Sequence, residues 1–311
     1  MDNICHTLAG AAFGEAGLKH RTRYGNATLM IASNLPDLDV LVFLTDTSGF
    51  AFRRGWTHGL AAQAVLPVVF AGVVWVIGRF TASRQRAPHA SVHFGWLVLL
   101  SYVGVLSHVF LDYLNNYGIR LLAPFDWRWF YGDAVFIADP VLWLLLGAGI
   151  LITRRRGRVV FARGALACAA CYIGVTLVSA RLARDVVADI WRETRGTEPL
   201  TVMVGPLPLT PFSKVAIIDA GERYDVGTFR WWPTSVTFAP ASIPKNDQVP
   251  EVARAREQSR QVREFLVWSR FPAWAITPTP QGSRVTVFDL RFMSREVSGA
   301  TFQASTLVRT E

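Results

Sequence analysis

Four stretches before residue 181 are long enough, or nearly so, to cross a bilayer, which takes about 17–25 residues of helix. Residues 60–78 carry no charge and one strongly polar side chain, Gln63; residues 94–111 are apolar apart from Ser101, Ser107 and His108. Residues 134–152 contain a single charge, Asp139, and residues 164–180 contain none. A soluble domain hides one such helix in its core, but four in one half-chain describe a membrane domain. Composition agrees, since 51% of the 311 residues are hydrophobic and only 18% charged, against about a quarter charged in a soluble globular protein. The aromatic content excludes disorder, and three cysteines, Cys5, Cys168 and Cys171, give no disulfide framework. Cys168 and Cys171 fall inside an apolar stretch, where small-residue packing is the expectation and redox chemistry would lack access.

Residues 4–18 and 24–35 are shorter, Gly- and Ala-rich helical stretches separated by a basic turn, Lys19–Arg23 by number. Small residues at helical spacing allow close packing inside a bundle, so a helical hairpin sheltered by the longer spans is expected. After residue 181 charges of both signs return and period-two runs appear. Residues 214–219, 223–231 and 284–292 predict strands, and 249–268 predict an amphipathic helix stopped by Pro272. The fold class expected is therefore an α-helical membrane bundle of about six helices, the first two short, followed by a soluble α+β domain. The domains run 1–180 for the bundle, 181–198 for a connector and 199–311 for the soluble part.

Three loops, 19–23, 79–93 and 153–163, hold eleven Lys or Arg and no Asp or Glu. The positive-inside rule places them in the cytoplasm. Helices at 4–18, 24–36, 58–78, 93–113, 138–152 and 163–180 satisfy that rule together, with the C-terminal domain outside. In a bacterium this is an integral protein of the inner (plasma) membrane with a periplasmic domain. Much of the net charge of +9 is then an orientation signal facing anionic lipid, and no nucleic-acid partner is implied.

Ionisable side chains inside membrane helices are costly and need a reason. They are His6, Asp37, Asp39, His58, His108, Asp112 and Asp139. Counted along its own helix at about 1.5 Å per residue, each lies about 20–30 Å from the nearest basic loop. Five separate stretches thus deliver His or Asp to one layer near the outer face. His108 and Asp112 share a helix face at i, i+4, and Asp37 and Asp39 follow the helix-stopping Pro36. Imidazole with carboxylate suits zinc best, with manganese, iron and magnesium as alternatives. Three His and three or four Asp exceed one tetrahedral shell, so one or two ions fit. Asp139, immediately before Pro140, equally suits an ordinary helix N-cap.

The motifs stand in order: His6; Asn34-Leu35-Pro36-Asp37-Leu38-Asp39; Arg53-Arg54-Gly55-Trp56-Thr57-His58-Gly59; and Ser107-His108 followed by Asp112. Over roughly residues 1–150 they resemble the membrane-bound metal-dependent hydrolases of the YdjM-like inner-membrane family. Gly59 replaces a frequent Ser, and Arg53 a frequent His, so one potential ligand is missing. The resemblance implies a metal-dependent hydrolase without naming a substrate.

The mechanism expected is hydrolysis by metal-activated water at the outer membrane interface. The ligands would be His6, Asp37, Asp39, His58, His108 and Asp112, with Asp139 a further candidate. Asp39 and Arg54 are the catalytic candidates, and Arg53 with Arg54 could clamp a phosphate, pointing to a phosphoester or lipid-linked substrate. Pairing of those arginines with Asp46, Asp126 or Asp133, or with lipid headgroups, is the plainer alternative. The aromatic run 125–131 fits interfacial anchoring, or a lid. Membrane lipids are partners by construction; the C-terminal domain offers no identifiable protein partner. A non-catalytic scaffold with a structural metal, and less so an ion transporter, are the competing functional classes.

Overall fold

The computed structural model describes residues 1–45, 49–84, 91–208, 210–293 and 302–309, without the side chains of 82–84. Asp46, Arg86 and His89 lie outside the described residues. The chain forms two compact units, residues 1–41 with 53–179, and residues 42–52 with 180–311.

In the first unit, α1 (Asn3–Glu15) starts at Asp2, whose carboxylate accepts the amides of Ile4 and Cys5 at 3.0 Å each. At its far end Glu15, nearly fully buried, pairs with Lys19 and with Arg154 at 2.7 Å. This polar residue in helix one is thus held in an ion-pair staple. Next come α2 (Gly25–Ala32) and a 3-10 segment, Leu35–Leu44, with Pro36 at its start. A four-residue α3 (Gly49–Phe52) belongs to the second unit. Then follow α4 (Leu60–Arg84), α5 (Phe94–Tyr113), α6 (Pro140–Arg156) and α7 (Val160–Arg195).

Among the described residues three helices are long and apolar enough to cross a membrane, Leu60–Thr81, Phe94–Tyr113 and Val160–Arg195. The count is four if α2 and the 3-10 segment, bent by 50°, form one broken span. The six expected helices have counterparts in α1, α2, α4, α5, α6 and α7, and those of membrane length are the three, or four with the bent pair, just given. The stretch before Asp139 is not helical, and α6, with 17 residues, begins only at its Asp139 N-cap. The sixth expected helix does not end at 180 but continues to Arg195 through most of the expected connector. On α4, Val65, Val69, Val73 and Ile77 repeat every four residues and are exposed, the uncovered apolar stripe of a lipid-facing helix. Cys168 and Cys171 are free and exposed on α7 rather than packed as expected. Gly104 lets α5 approach the end of α2: a Cβ there would lie 2.6 Å from the Ala32 side chain and 2.9 Å from the Ser33 amide.

In the second unit an antiparallel sheet runs β1 (Thr201–Leu207), β2 (Thr210–Asp219), β3 (Arg223–Trp231), β4 (Thr234–Phe238), with β5 (Ile243–Pro244) also on β3. The predicted helix over 249–268 is two, α8 (Pro250–Gln258) and α9 (Arg260–Trp268), because Ser259 leaves the helical region and caps α9 through its side chain. A second sheet runs β6 (Pro272–Thr279), β7 (Gly282–Asp289), β8 (Gln303–Val308). The first sheet is buried on both faces. Ala216, Ile218 and Phe229 cluster with Ala183, Val187 and Trp191 of α7, while Ile217 and Tyr224 cluster with Phe271 and Phe288 of the second sheet. Phe50 of α3 packs on Phe265 and Trp268, with ring centroids 5.1 and 5.2 Å away, which ties residues 42–52 to this unit.

Candidate metal centre

Four side chains from three segments of the first unit converge. Asp37 comes from the 3-10 segment, His58 from the loop entering α4, and His108 and Asp112 from one face of α5. One ligand atom from each lies within 4.8 Å of the others, and all four residues are buried. His58 Nε2 and His108 Nε2 are 3.1 Å apart. Asp112 Oδ2 stands 3.4 Å from the first and 3.6 Å from the second, and Asp37 Oδ1 stands 4.0 and 3.9 Å from them.

The imidazoles are oriented from behind. His108 Nδ1 donates to the Ser33 carbonyl oxygen at 2.8 Å, at the turn that Gly104 lets α5 reach. His58 Nδ1 lies 2.9 Å from Thr57 Oγ1 and 3.5 Å from Asp39 Oδ2. The Ser33 carbonyl can only accept, so His108 Nε2 carries a lone pair, and it faces His58 Nε2 in a site closed to solvent. With His58 also protonated at Nδ1, two lone pairs would meet there, an arrangement that a cation between them relieves. Two imidazoles on one zinc at about 2.0–2.1 Å, with angles near 90–110°, stand about 2.9–3.4 Å apart. The observed 3.1 Å falls in that range, and the donor set, two nitrogens and two carboxylates, suits a divalent ion. Asp112 Oδ2, beside both Nε2 atoms, makes no hydrogen bond and is balanced by the Arg54 guanidinium, whose Nε lies 3.0 Å away. The residues fit the ion.

His6 flanks the four rather than joining them. Its ring stacks on His108 with centroids 3.8 Å apart, and its Nε2 is 3.3 Å from Asp112 Oδ1. Both of its ring nitrogens are buried without a hydrogen bond. The α-amine of Met1 also donates to Asp112 Oδ1. Asp39 faces the loop: its carboxylate accepts the Arg54 amide at 2.7 Å and Arg53 Nε at 3.2 Å. Asp139 stands apart. One oxygen caps α6 through the amides of Val141 and Leu142, and the other accepts the Tyr172 hydroxyl at 2.9 Å.

The two arginines turn inward, onto the site's own carboxylates. Arg53 reaches Asp37 at 3.3 Å as well as Asp39, with a quarter of its side chain exposed. Arg54 is buried, pairs with Asp112 at 3.0 Å, donates to Asn115 Oδ1 at 3.1 Å and lies over the Tyr117 ring. The pairs described for them are thus with Asp37, Asp39 and Asp112, while Asp126 binds Arg128 at 2.6 Å and Asp46 lies outside the described residues. The aromatic loop leans on Arg120, whose guanidinium lies 5.3 Å from the Trp127 ring and 4.5 Å from Trp129, while Trp56 meets Trp127 edge to face. The substitution at Gly59 has a structural reason, since any Cβ there would lie 2.3 Å from the Ala123 carbonyl oxygen.

Sequence reasoning missed Ser33, Asn115 and Thr57. Thr57 stands inside the Arg53–Gly59 motif and Asn115 three residues after Asp112, so both were within reach; Ser33 acts through its backbone, which leaves no side-chain signal. An apolar cavity of about 270 Å³ lies among α1, α5, α6 and α7, lined by Phe13, Phe110, Leu111, Leu142 and Leu166 among others. Ser107 and Leu111, also in its wall, immediately precede His108 and Asp112.

A model of the family described as YdjM inner membrane protein matches residues 1–183. The chain is also similar to "Uncharacterized protein YfhP" of Bacillus subtilis (strain 168), at 23% identity covering 95% of this chain and 88% of that protein. No solved structure matches. The matched segment is more than half of the chain and contains every residue of the buried cluster, so the protein belongs to the YdjM inner membrane protein family.

Proposed function

We propose that this protein is a membrane-bound, metal-dependent hydrolase acting on a phosphoester or lipid-linked substrate. The observation that carries the reading is the pair of buried Nε2 atoms 3.1 Å apart, each imidazole held from behind, with two carboxylates beside them. Asp37, His58, His108 and Asp112 would hold the ion, zinc being the best match to this donor set and manganese, iron or magnesium the alternatives. Bound there, a divalent cation supplies Lewis acidity, which for zinc brings the pKa of water from 15.7 to about 7.

The chain's own residues do the rest. Ser33 and Thr57, with Asp39, fix the rings so that Nε2 points inward, the role that outer partners of metal-binding His generally serve. Asp39 also holds the Arg54 amide, so we assign it to positioning the loop. Arg54 neutralises Asp112 and fixes its orientation. His6, stacked on His108 and close to Asp112 Oδ1, is placed to contribute to a second ion or to accept a proton. Arg53 is the charged group at the site with substantial exposure, and it is the residue to meet an anionic oxygen of a substrate, exchanging a carboxylate for it. The apolar cavity beside Ser107 and Leu111 supports a substrate with a hydrocarbon portion. Basic loops in the cytoplasm, the site near the outer face and an external C-terminal domain complete the proposal.

The test is hydrolysis of phosphomonoester and phosphodiester lipids by protein reconstituted in vesicles. Activity that disappears on chelation, returns with zinc or manganese, and falls in Arg53→Ala mainly through a raised KM supports the reading. A fully metal-loaded protein inactive on phosphoesters, carboxylic esters and amides would leave a structural metal in a scaffold.

A further inference from the structure

Two of the most exposed large apolar side chains of the second unit sit at one end of its first sheet. Trp232, in the β3–β4 turn, is 91% exposed, and Phe212, beside the β1–β2 turn, is 70% exposed. Antiparallel pairing places these two turns together, opposite the β2–β3 turn. The path of α7 shows which end this is. Trp191 Nε1 donates to Asp225, near the start of β3, at 3.1 Å, and Arg195 lies 3.8 Å from the same carboxylate. The helix therefore runs toward the β2–β3 turn, and Ala180, where it enters this unit, lies toward the end bearing Trp232 and Phe212. Eleven helical residues from Trp191 back to Ala180 span about 17 Å. Seven extended residues from Asp225 to Trp232 span about 23 Å in the same direction. Laid along one direction, these lengths bring the turn to within about 6 Å of the level of Ala180.

Ala180 is the last residue of the apolar part of α7, and Arg181 and Arg184 follow it, both exposed, as is Arg230 beside the turn. We propose that this end of the soluble unit docks into the headgroup layer of the bilayer that α7 leaves, with Trp232 and Phe212 as interfacial anchors. Trp and other aromatic rings favour that layer, and Arg181 and Arg230, beside Arg184 with its exposed partner Asp185 at 3.9 Å, supply cations for anionic headgroups. A soluble face that met only water would gain nothing from gathering exposed aromatics and basic residues where α7 enters the unit.

The experiment uses full-length protein with its three cysteines replaced by alanine and a single nitroxide label at Thr234, which leaves both aromatics in place, or at Glu222 in the opposite turn. In vesicles of zwitterionic and anionic lipid, collision with oxygen is compared with collision with a water-soluble nickel chelate. Docking predicts a higher oxygen-to-nickel ratio at 234 than at 222, lost when Trp232→Ser and Phe212→Ser are combined. Equal, water-like ratios at both positions overturn the proposal. So does a label at 234 that is immobilised equally in detergent and in vesicles without gaining oxygen exposure, which would mark a protein partner instead. A thermal unfolding transition of the soluble unit that matches the parent protein in every variant shows that the unit remains folded.

Discussion

The molecule buries charged groups in both of its units, and it treats them differently. In the soluble unit Asp289 has every acceptor position used. Its Oδ1 takes the Arg291 amide and Nε, and its Oδ2 takes the Ser269 hydroxyl and the amides of Arg270 and Phe271. Arg291 lies across the Trp268 ring. Burial alone would raise the Asp289 carboxyl, but the adjoining guanidinium and these hydrogen bonds hold it below the ordinary range. The cluster in the membrane unit is less complete: both His6 nitrogens lack a hydrogen bond, Asp112 Oδ2 has none and meets the Arg54 guanidinium as an ion pair, and the Nε2 atoms of His58 and His108 face each other 3.1 Å apart. A fully satisfied buried network is architecture. One with open valences among ligand-type atoms is waiting for something, and that contrast separates the two clusters better than burial or charge does.

The contrast is broken most severely by emptying the open cluster. His108→Ala or Asp37→Asn should abolish stoichiometric metal binding and hydrolysis, while detergent-solubilised protein stays monodisperse by size exclusion. Collapse of the fold with either change would mean that the cluster is architecture too. Next in size is the closed cluster: Asp289→Asn leaves Arg291 buried without its counter-ion and should cost about 3–5 kcal/mol of the soluble unit's stability, without loss of metal. The depressed carboxyl also fixes the direction of its pH dependence. Its stabilisation is complete above an unfolded-state pKa of about 3.9 and is lost as pH falls through the lower folded value. Thermal unfolding of the soluble unit should therefore be insensitive to this group at pH 6 and weaken below about pH 4, a response absent in Asp289→Asn.

Smaller effects sharpen the comparison at its edges. Asp39→Asn removes an outer partner of His58 and should weaken metal affinity about 10–100-fold without eliminating it. Competition with a chromogenic chelator reads this directly. Asp139→Asn should leave the metal stoichiometry untouched and cost about 1 kcal/mol or less through its helix cap. Loss of metal in that variant would return Asp139 to the ligand set.

Much of the site was legible because ionisable residues in apolar segments are expensive and therefore conspicuous. Asp37, His58, His108 and Asp112 were all found by their shared depth. Depth along a helix axis carries no information about direction around it, however, and that is why Asp139 entered the same list although its carboxylate faces the start of α6 and Tyr172. Arg53 and Arg54 were legible as outliers, but their partners were not. The bend after Ala32 brings Asp37 and Asp39 to them, and a bend is a tertiary outcome that Pro36 only permits. In the soluble unit the strongly alternating β2 and β3 were readable. Strands β1 and β6 were not, because Pro206 and Pro278 interrupt their pattern and much of their burial comes from α7 and the opposing sheet. Phe50 shows the same limit, since a short apolar segment between two polar motifs gives no hint that it packs more than two hundred residues away.

The most direct test of the central claim is elemental analysis of the purified full-length protein beside His58→Ala, His108→Ala and Asp139→Asn. The account predicts near-stoichiometric zinc, manganese or iron in the wild type and in Asp139→Asn, and its loss in both histidine variants. Wild-type protein that retains no divalent metal after loading and washing would contradict it, and the facing imidazoles would then be a structural pair.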